Sequence, residues 1–192
     1  MVSDRWYAAL FDKKDLPRIY RLAEKIRTTH DNKLIDEFNE SCVRKFNDHN
    51  PMINGVDPLQ ATKSGDMVVN SGLKQCLDII IHVSTARFQY MGSGTGIGNP
   101  FTTQTALETE ILPRVDMSLF GWRENASTSL QFAGIFGDSR PTNTISEAGI
   151  FNLSSAGIML NRTMFSQLPI AHTVNVTGYV ISSVVDFVPV MP

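Results

Sequence analysis

The sequence is poor in the residues on which reactive or scaffolded chemistry usually depends. Cysteine occurs twice, as Cys42 and Cys76. Two thiols at that separation build neither a disulfide framework nor a zinc site, and both are read as buried free thiols. Charged residues make up only 19% of the chain, and the net charge is -2. No basic stripe is present to follow a phosphate backbone or an anionic lipid surface, so nucleic-acid and membrane partners are not expected. Long apolar runs are missing too. The aliphatic cluster Ile79–Ile81 is far shorter than the ~20 residues of a membrane span. The first residues, MVSDRWYAALFDKKD, place charges where a signal peptide needs an apolar stretch, so synthesis in a cytoplasm is expected. Tryptophan is limited to Trp6 and Trp122, thin provision for a sugar-binding face.

What is present suits a globular protein. Apolar residues account for 42% of 192, and a chain of this size buries roughly 70% of the surface its unfolded form exposes. Five Asn-x-Ser/Thr triplets, at Asn39, Asn125, Asn152, Asn161 and Asn175, are read as chance in a chain rich in those residues. Charge is unevenly spread. The first 50 residues hold 10 of the 17 Lys and Arg and 9 of the 19 Asp and Glu, which marks a boundary near Asn50-Pro51.

The charged part, residues 1–50, reads as a helical hairpin or arm. Asp15 can cap a helix that carries Leu16, Ile19, Leu22, Ala23 and Ile26 at helical spacing, with Pro17 tolerated in its first turn. After the break at Thr28–Asn32, Leu34, Ile35, Phe38, Cys42 and Phe46 form a second stripe, with Asp36, Glu37, Glu40 and Lys45 mostly elsewhere. Such a stripe must bury itself against the rest of the chain or a neighbouring subunit. Residues 50–66 are turn-rich and expected to be irregular. Asn70 or Ser71 can cap a short helix near 70–82 carrying Leu73, Leu77, Ile80 and Ile81, although Ile79–Val83 also suits a strand.

Beyond Arg87, short β-prone runs alternate with Gly, Asn, Pro and Ser clusters: Arg87 to Met91, Ser127 to Phe136, Gly149 to Asn152, Ile158 to Phe165 and Val174 to Phe187. The expected fold is therefore α+β: the helical hairpin or arm, then a mainly antiparallel β-sandwich or jelly-roll-like domain over residues 51–192.

The search for chemistry yields few candidates. Gly92-Ser93-Gly94-Thr95-Gly96-Ile97-Gly98 fits neither a dinucleotide fingerprint nor a P-loop, and reads as a tight turn ending a strand. His30, His49, His82 and His172 are scattered, which gives a metal site no local support. Ser146 lacks the flanking glycine of a nucleophile elbow. Glu108 and Glu110 resemble a carboxylate pair, but ionic contacts to Arg114 or to another subunit explain them more simply. Glu147 lies among apolar residues and needs a buried partner, for which Arg162 or Arg114 are the candidates. No catalytic set and no cofactor are expected.

Several stretches resemble, in the same order, a loose group of bacteriophage and archaeal-virus virion proteins. Val69-Asn70-Ser71-Gly72-Leu73 looks like the opening of a short helix in that group. Phe88–Gly96 is similar to their strand ending in a Gly-Thr-Gly turn, and Thr105–Glu110 with Arg114 to their Thr-apolar-Leu-Glu-Arg stretch. Ile145-Ser146-Glu147-Ala148-Gly149-Ile150-Phe151-Asn152 matches best, and a similar element occurs in attachment domains of phage tail-collar fibres. Gly157 to Phe165, with Arg162, looks like the strand that follows. The chain departs from the pattern at Gly178-Tyr179, where many members have tryptophan, and at Pro113, which interrupts the spacing before Arg114.

The resemblance covers residues 68 to 185. It implies a virion component of the neck, collar, tail or baseplate, with copies of itself and neighbouring virion proteins as partners. Glu108, Glu110, Arg114, Glu147, Gly149, Phe151, Arg162 and Phe165 become candidates for structural or interface roles. A capsid decoration or head-fibre protein, and a glycan- or receptor-binding module, remain alternative expectations.

Overall fold

A computed structural model describes residues 2–12, 16–29, 33–34, 60–117, 123–125, 129–136, 144–169 and 176–187. They form an α+β structure dominated by antiparallel sheet. The chain runs β1 (Val2–Asp12), α1 (Leu16–Thr29), β2 (Gln60–Val68), α2 (Asn70–Ile80), β3 (Tyr90–Gly94) and β4 (Glu110–Asp116). It continues through β5 (Arg123–Asn125), β6 (Ser129–Phe136), β7 (Thr144–Phe151), β8 (Met159–Pro169) and β9 (Val176–Phe187). The strands make one sheet in the order β4-β3-β7-β8-β2-β1-β9-β6-β5, and every neighbouring pair is antiparallel.

Four strands, β1, β2, β4 and β5, lie outside the β-prone runs expected from the sequence, and two of them overturn a different expectation. The first residues of the supposed 1–50 arm form β1, which pairs with β9 along its whole length and with β2 on its other edge. Val2, Trp6, Tyr7 and Phe11 are good strand formers, and a position inside the sheet satisfies backbone groups on both edges of β1. Gln60–Val68, expected to be irregular, is also a strand. Its Ser64-Gly65-Asp66 is weak in intrinsic preference, but pairing with β1 and β8 overrides that. The first helix appears as read, with Pro17, Tyr20, Arg21, Glu24, Lys25, Thr28 and Thr29 exposed on one side. The second expected helix is described only at Lys33 and Leu34; the rest of its stripe lies outside the described residues.

The main core draws Met91 from β3, Ile111 from β4, Phe132 and Phe136 from β6, Ile145, Ala148 and Ile150 from β7, and Leu160 and Phe165 from β8. Strand β6 lies at the far end of the strand order from β3 and β4, yet shares their core. A Cβ placed on Gly134 would come within 2.8 Å of Val115 Cγ2 and 3.2 Å of Met91 Cβ. Strand β6 thus packs close to β3 and β4 at Gly134.

Burial on both sides distinguishes β7, in which Ile145–Phe151 are all buried. Successive strand residues point to opposite faces. Ala148 and Ile150 enter the main core, while Phe151 joins Val69, Leu107 and Met159 in a second cluster beneath the 95–109 segment.

Helix α2 crosses β8. Its first amides are satisfied by the sheet and the 95–109 segment, not by a side-chain cap: Val69 N donates to Leu160 O (3.0 Å) and Asn70 N to Thr102 O (2.8 Å). Neither Asn70 nor Ser71 is therefore the cap. Gly72 rests on the β8 backbone, where any Cβ would collide with Leu160. Ile79 and Ile80 belong to the helix, which resolves the helix-or-strand ambiguity, and the chain turns at His82 with φ 58°.

Candidate functional site

The sheet face beneath residues 95–109 holds the most elaborate polar arrangement among the described residues. It begins with glycine. In cross-strand register, Gly92 lies opposite Gly149 and Gly149 opposite Arg162, while Gly94 lies opposite Glu147. Two strands, β3 and β7, therefore present no side chain at Gly92, Gly94 and Gly149; Leu107 packs over Gly92 and Gly149, and the Glu147 side chain fills the space beside Gly94. Strand β3 ends within the run, at Gly94, as expected, but none of the glycines between 92 and 98 is left-handed. Their role is clearance: a Cβ on Gly96 would lie 2.5 Å from Glu147 Oε1 and 2.6 Å from Glu108 Cβ. Residues 92–94 continue the strand.

Glu147 and Arg162 are both 0% exposed and form an ion pair, Arg162 Nε to Glu147 Oε2 at 2.7 Å. The carboxylate accepts three backbone hydrogen bonds besides. Gly96 N (3.0 Å) and Thr109 N (2.7 Å) donate to Oε1, and Glu108 N (3.0 Å) donates to Oε2. Four donors match the ~four lone-pair positions of a carboxylate. The guanidinium is spread over three acceptors: beyond Glu147, Nη1 donates to Gln104 Oε1 (3.2 Å) and Nη2 to Glu108 Oε2 (3.3 Å). Glu108 Oε2 also accepts from Gly98 N at 2.6 Å, and Gln104 Oε1 from Phe101 N at 2.9 Å. One buried carboxylate thus gathers both ends of the 95–109 segment onto the sheet, and one buried arginine holds its middle.

A second ionic unit lies beside the first. Arg114 donates through Nε and Nη2 to the two oxygens of Glu110, at 2.5 and 3.0 Å. Its Nη1 reaches the carbonyls of Leu153 and Ala156 in the β7–β8 turn, and its Cζ lies 3.4 Å from the centroid of the Phe151 ring. Strand register explains the reach. Ile111 pairs with Ser93 and Val115 with Met91, so three β4 residues face Gly92 alone. The bulge contains Leu112 and Pro113, both exposed, and shortens the path between Glu110 and Arg114. The proline that breaks the spacing in the sequence therefore sits where the strand must bulge. Asn152 closes the turn from inside, accepting from Ile158 N through Oδ1 at 2.7 Å, and Ala156 and Gly157 supply two successive left-handed residues with φ 50° and 78°.

Of the residues singled out from sequence, Glu108, Glu110, Arg114, Glu147, Gly149, Phe151 and Arg162 meet on this face. Phe165 does not; it lies in the main core. Arg162, not Arg114, is the partner of Glu147. Glu108 and Glu110 do not act as a pair, since each serves a different arginine. The Ser146 hydroxyl donates to Gly96 O at 2.9 Å and is buried. His82 is exposed at the end of α2; His30, His49 and His172 lie outside the described residues. Among the described residues, no group of three or more His, Cys, Asp or Glu is placed to hold a metal ion, and no helix is long and apolar enough to cross a membrane. Asn152 and Asn161 are buried, so neither triplet presents an accessible asparagine.

Sequence reasoning missed Gln104 and the amides of Gly96, Glu108 and Thr109. Backbone donors leave no trace in residue identity, and Gln104 is one polar residue in a polar stretch. Gln75 was missed as well. It is buried on the sheet side of α2 and donates to Ser84 Oγ (2.7 Å) and Ala86 O (3.0 Å). Burial pushes the Cys76 thiol pKa up from its ordinary value. No family model and no curated protein matches the chain.

Proposed function

We propose that this chain is a non-enzymatic structural subunit of a tailed-virus particle, forming a symmetric ring or anchoring fibres at the neck, tail or baseplate. The observation that carries the reading is the complete internal use of Glu147 and Arg162. A carboxylate serving as general acid or base must come within hydrogen-bond reach of a substrate proton. Glu147 has no exposed surface, and its partners are three amides of its own chain and one arginine. The arrangement suits fastening a long segment to a sheet.

A second consideration points the same way. The stretches on which the resemblance to virion proteins rests, Val69–Leu73, Phe88–Gly96, Thr105–Arg114, Ile145–Asn152 and Gly157–Phe165, supply nearly all of this face. Stretches that are separate in sequence and converge on one packed unit are what a shared structural module would require.

The reading includes a finer fold. In it, β6 and the β3–β4 pair belong to facing layers of a jelly-roll-like sandwich; the second arm of the expected helical hairpin lies, beyond Leu34, outside the described residues. Its partners are further copies of the chain and neighbouring virion proteins, arranged in closed cyclic symmetry. Quantitative mass spectrometry of purified particles of the encoding virus tests the proposal. A fixed copy number that is a multiple of a ring symmetry is expected. Absence of the chain from the particle overturns the reading.

A further inference from the structure

Residues 95–109 are held to the sheet mainly by polar contacts. The segment contains no strand, and among its residues, all of them described, Leu107 is the one buried apolar side chain. Its ends meet, Thr95 N donating to Thr109 O at 3.0 Å, which gives it the form of an Ω-loop. Leu107 enters a socket on the sheet. Its Cδ1 and Cδ2 lie 3.4 and 3.1 Å from where a Cβ on Gly92 and on Gly149 would sit, and Val69, Phe151 and Met159 complete the walls.

We infer that this segment is a lid that opens as one unit while the sheet stays folded, that the Asn70 amide at the start of α2 opens with it, and that opening bares the socket under Leu107. Shared anchors make it one unit. Glu147 takes the amides of Gly96, Glu108 and Thr109 together. Gly98 N and Phe101 N bond to Glu108 Oε2 and Gln104 Oε1, the same atoms that accept from Arg162. Releasing one of these contacts therefore loosens the others. Thr102, which lies between Phe101 and Gln104, supplies the carbonyl that accepts Asn70 N at 2.8 Å. When the segment lifts, Asn70 loses its acceptor.

Two features let the lid part from the sheet. A single leucine is little apolar burial to give up, and segments with few buried apolar contacts open below the global unfolding free energy. Nor does opening strand a charge. Glu147 on β7 and Arg162 on β8 stay together on paired strands, 2.7 Å apart, and water replaces the amides that leave. The start of α2 offers an internal control. Val69 N donates to Leu160 O of β8, whereas Asn70 N, one residue on, donates to the lid. The inference is independent of the virion reading.

Amide exchange of the full wild-type chain, followed by NMR over a series of low urea concentrations, tests it. The amides of Gly96, Gly98, Phe101, Glu108, Thr109 and Asn70 should be protected and share one opening equilibrium. Its urea dependence should be shallow, because opening exposes little surface. The Val69 amide and those of β7 and β8 should exchange at least about tenfold more slowly. Ile150→Val, in the main core, should speed the slowest β7 and β8 amides by about two- to tenfold and leave the lid amides within about twofold of wild type. Should that variant fail to fold, the wild-type urea series decides alone. Lid amides that follow the sheet, or that exchange as in an unfolded peptide, overturn the inference. So does an Asn70 amide that keeps the rate of Val69. Met159→Cys, combined with Cys42→Ser and Cys76→Ser, should react with a small thiol reagent with the urea dependence of the lid amides. Labelling that follows the β7 and β8 amides instead overturns the claim that opening bares the socket.

Discussion

Replacing Glu147 with glutamine tests the physical core of the account. The substitution preserves volume and removes the charge. Arg162 then remains 0% exposed without its buried counter-charge, keeping only the longer 3.3 Å ionic contact to the exposed carboxylate of Glu108, and one of the two carboxylate oxygens becomes a donor facing donors. Breaking a buried pair by removing one partner costs roughly 3–5 kcal/mol. Single domains have only about 5–15 kcal/mol of stability. At ~2–4 °C per kcal/mol for a chain of this length, the melting temperature should fall by about 6–20 °C.

Arg162→Met should cost a similar amount, because the buried carboxylate then keeps only its three amides. The double variant should lose clearly less than the sum, since neither charge is left stranded; that non-additivity is the signature of a direct pair. Urea unfolding followed by circular dichroism gives all three values. A Glu147→Gln protein within ~0.5 kcal/mol of wild type, the usual range of an unimportant surface change, would refute the claim that this pair fastens the 95–109 segment.

Further expectations follow from neighbouring features. Gly94→Ala puts a Cβ 2.5 Å from Glu147 Oε1, so it should destabilise by ~1–3 kcal/mol, as overpacking does, measured by the same unfolding curve. Arg114→Lys loses the paired contact to Glu110 and the stacking on Phe151. Hydrogen exchange should then accelerate in residues 153–157, with little change in β1 or β9. The Cys76 thiol should react with a thiol reagent more slowly than a free thiol at pH 8, because burial raises its pKa and lowers the thiolate fraction. Denaturant should restore the ordinary rate.

Parts of this structure were legible in the sequence because they rest on local pattern. The strands at Ser129–Phe136 and Val176–Phe187 lie where β-prone runs sit between turn residues. Glu147 stood out because a carboxylate among apolar residues demands a partner, and Arg162 proved to be that partner. Other parts depend on pairing at a distance. Nothing local distinguishes Gln60–Val68 from a loop; β1 and β8 on its two edges make it a strand. The glycine run looked like a turn because glycine favours turns, whereas here it clears room for a side chain 51 residues away. The stripe on α2 was readable, but its direction was not: periodicity gives a helix's apolar face and says nothing of which face the sheet receives.

The central claim is that these buried ionic units serve a particle and not a reaction. Cryo-electron microscopy of the encoding virus, with the subunit fitted into symmetric density, tests it most directly. The account predicts density for the β-rich domain at the neck, tail or baseplate in a closed ring or at fibre bases. Density spread over the capsid shell, or none on the particle, would contradict it.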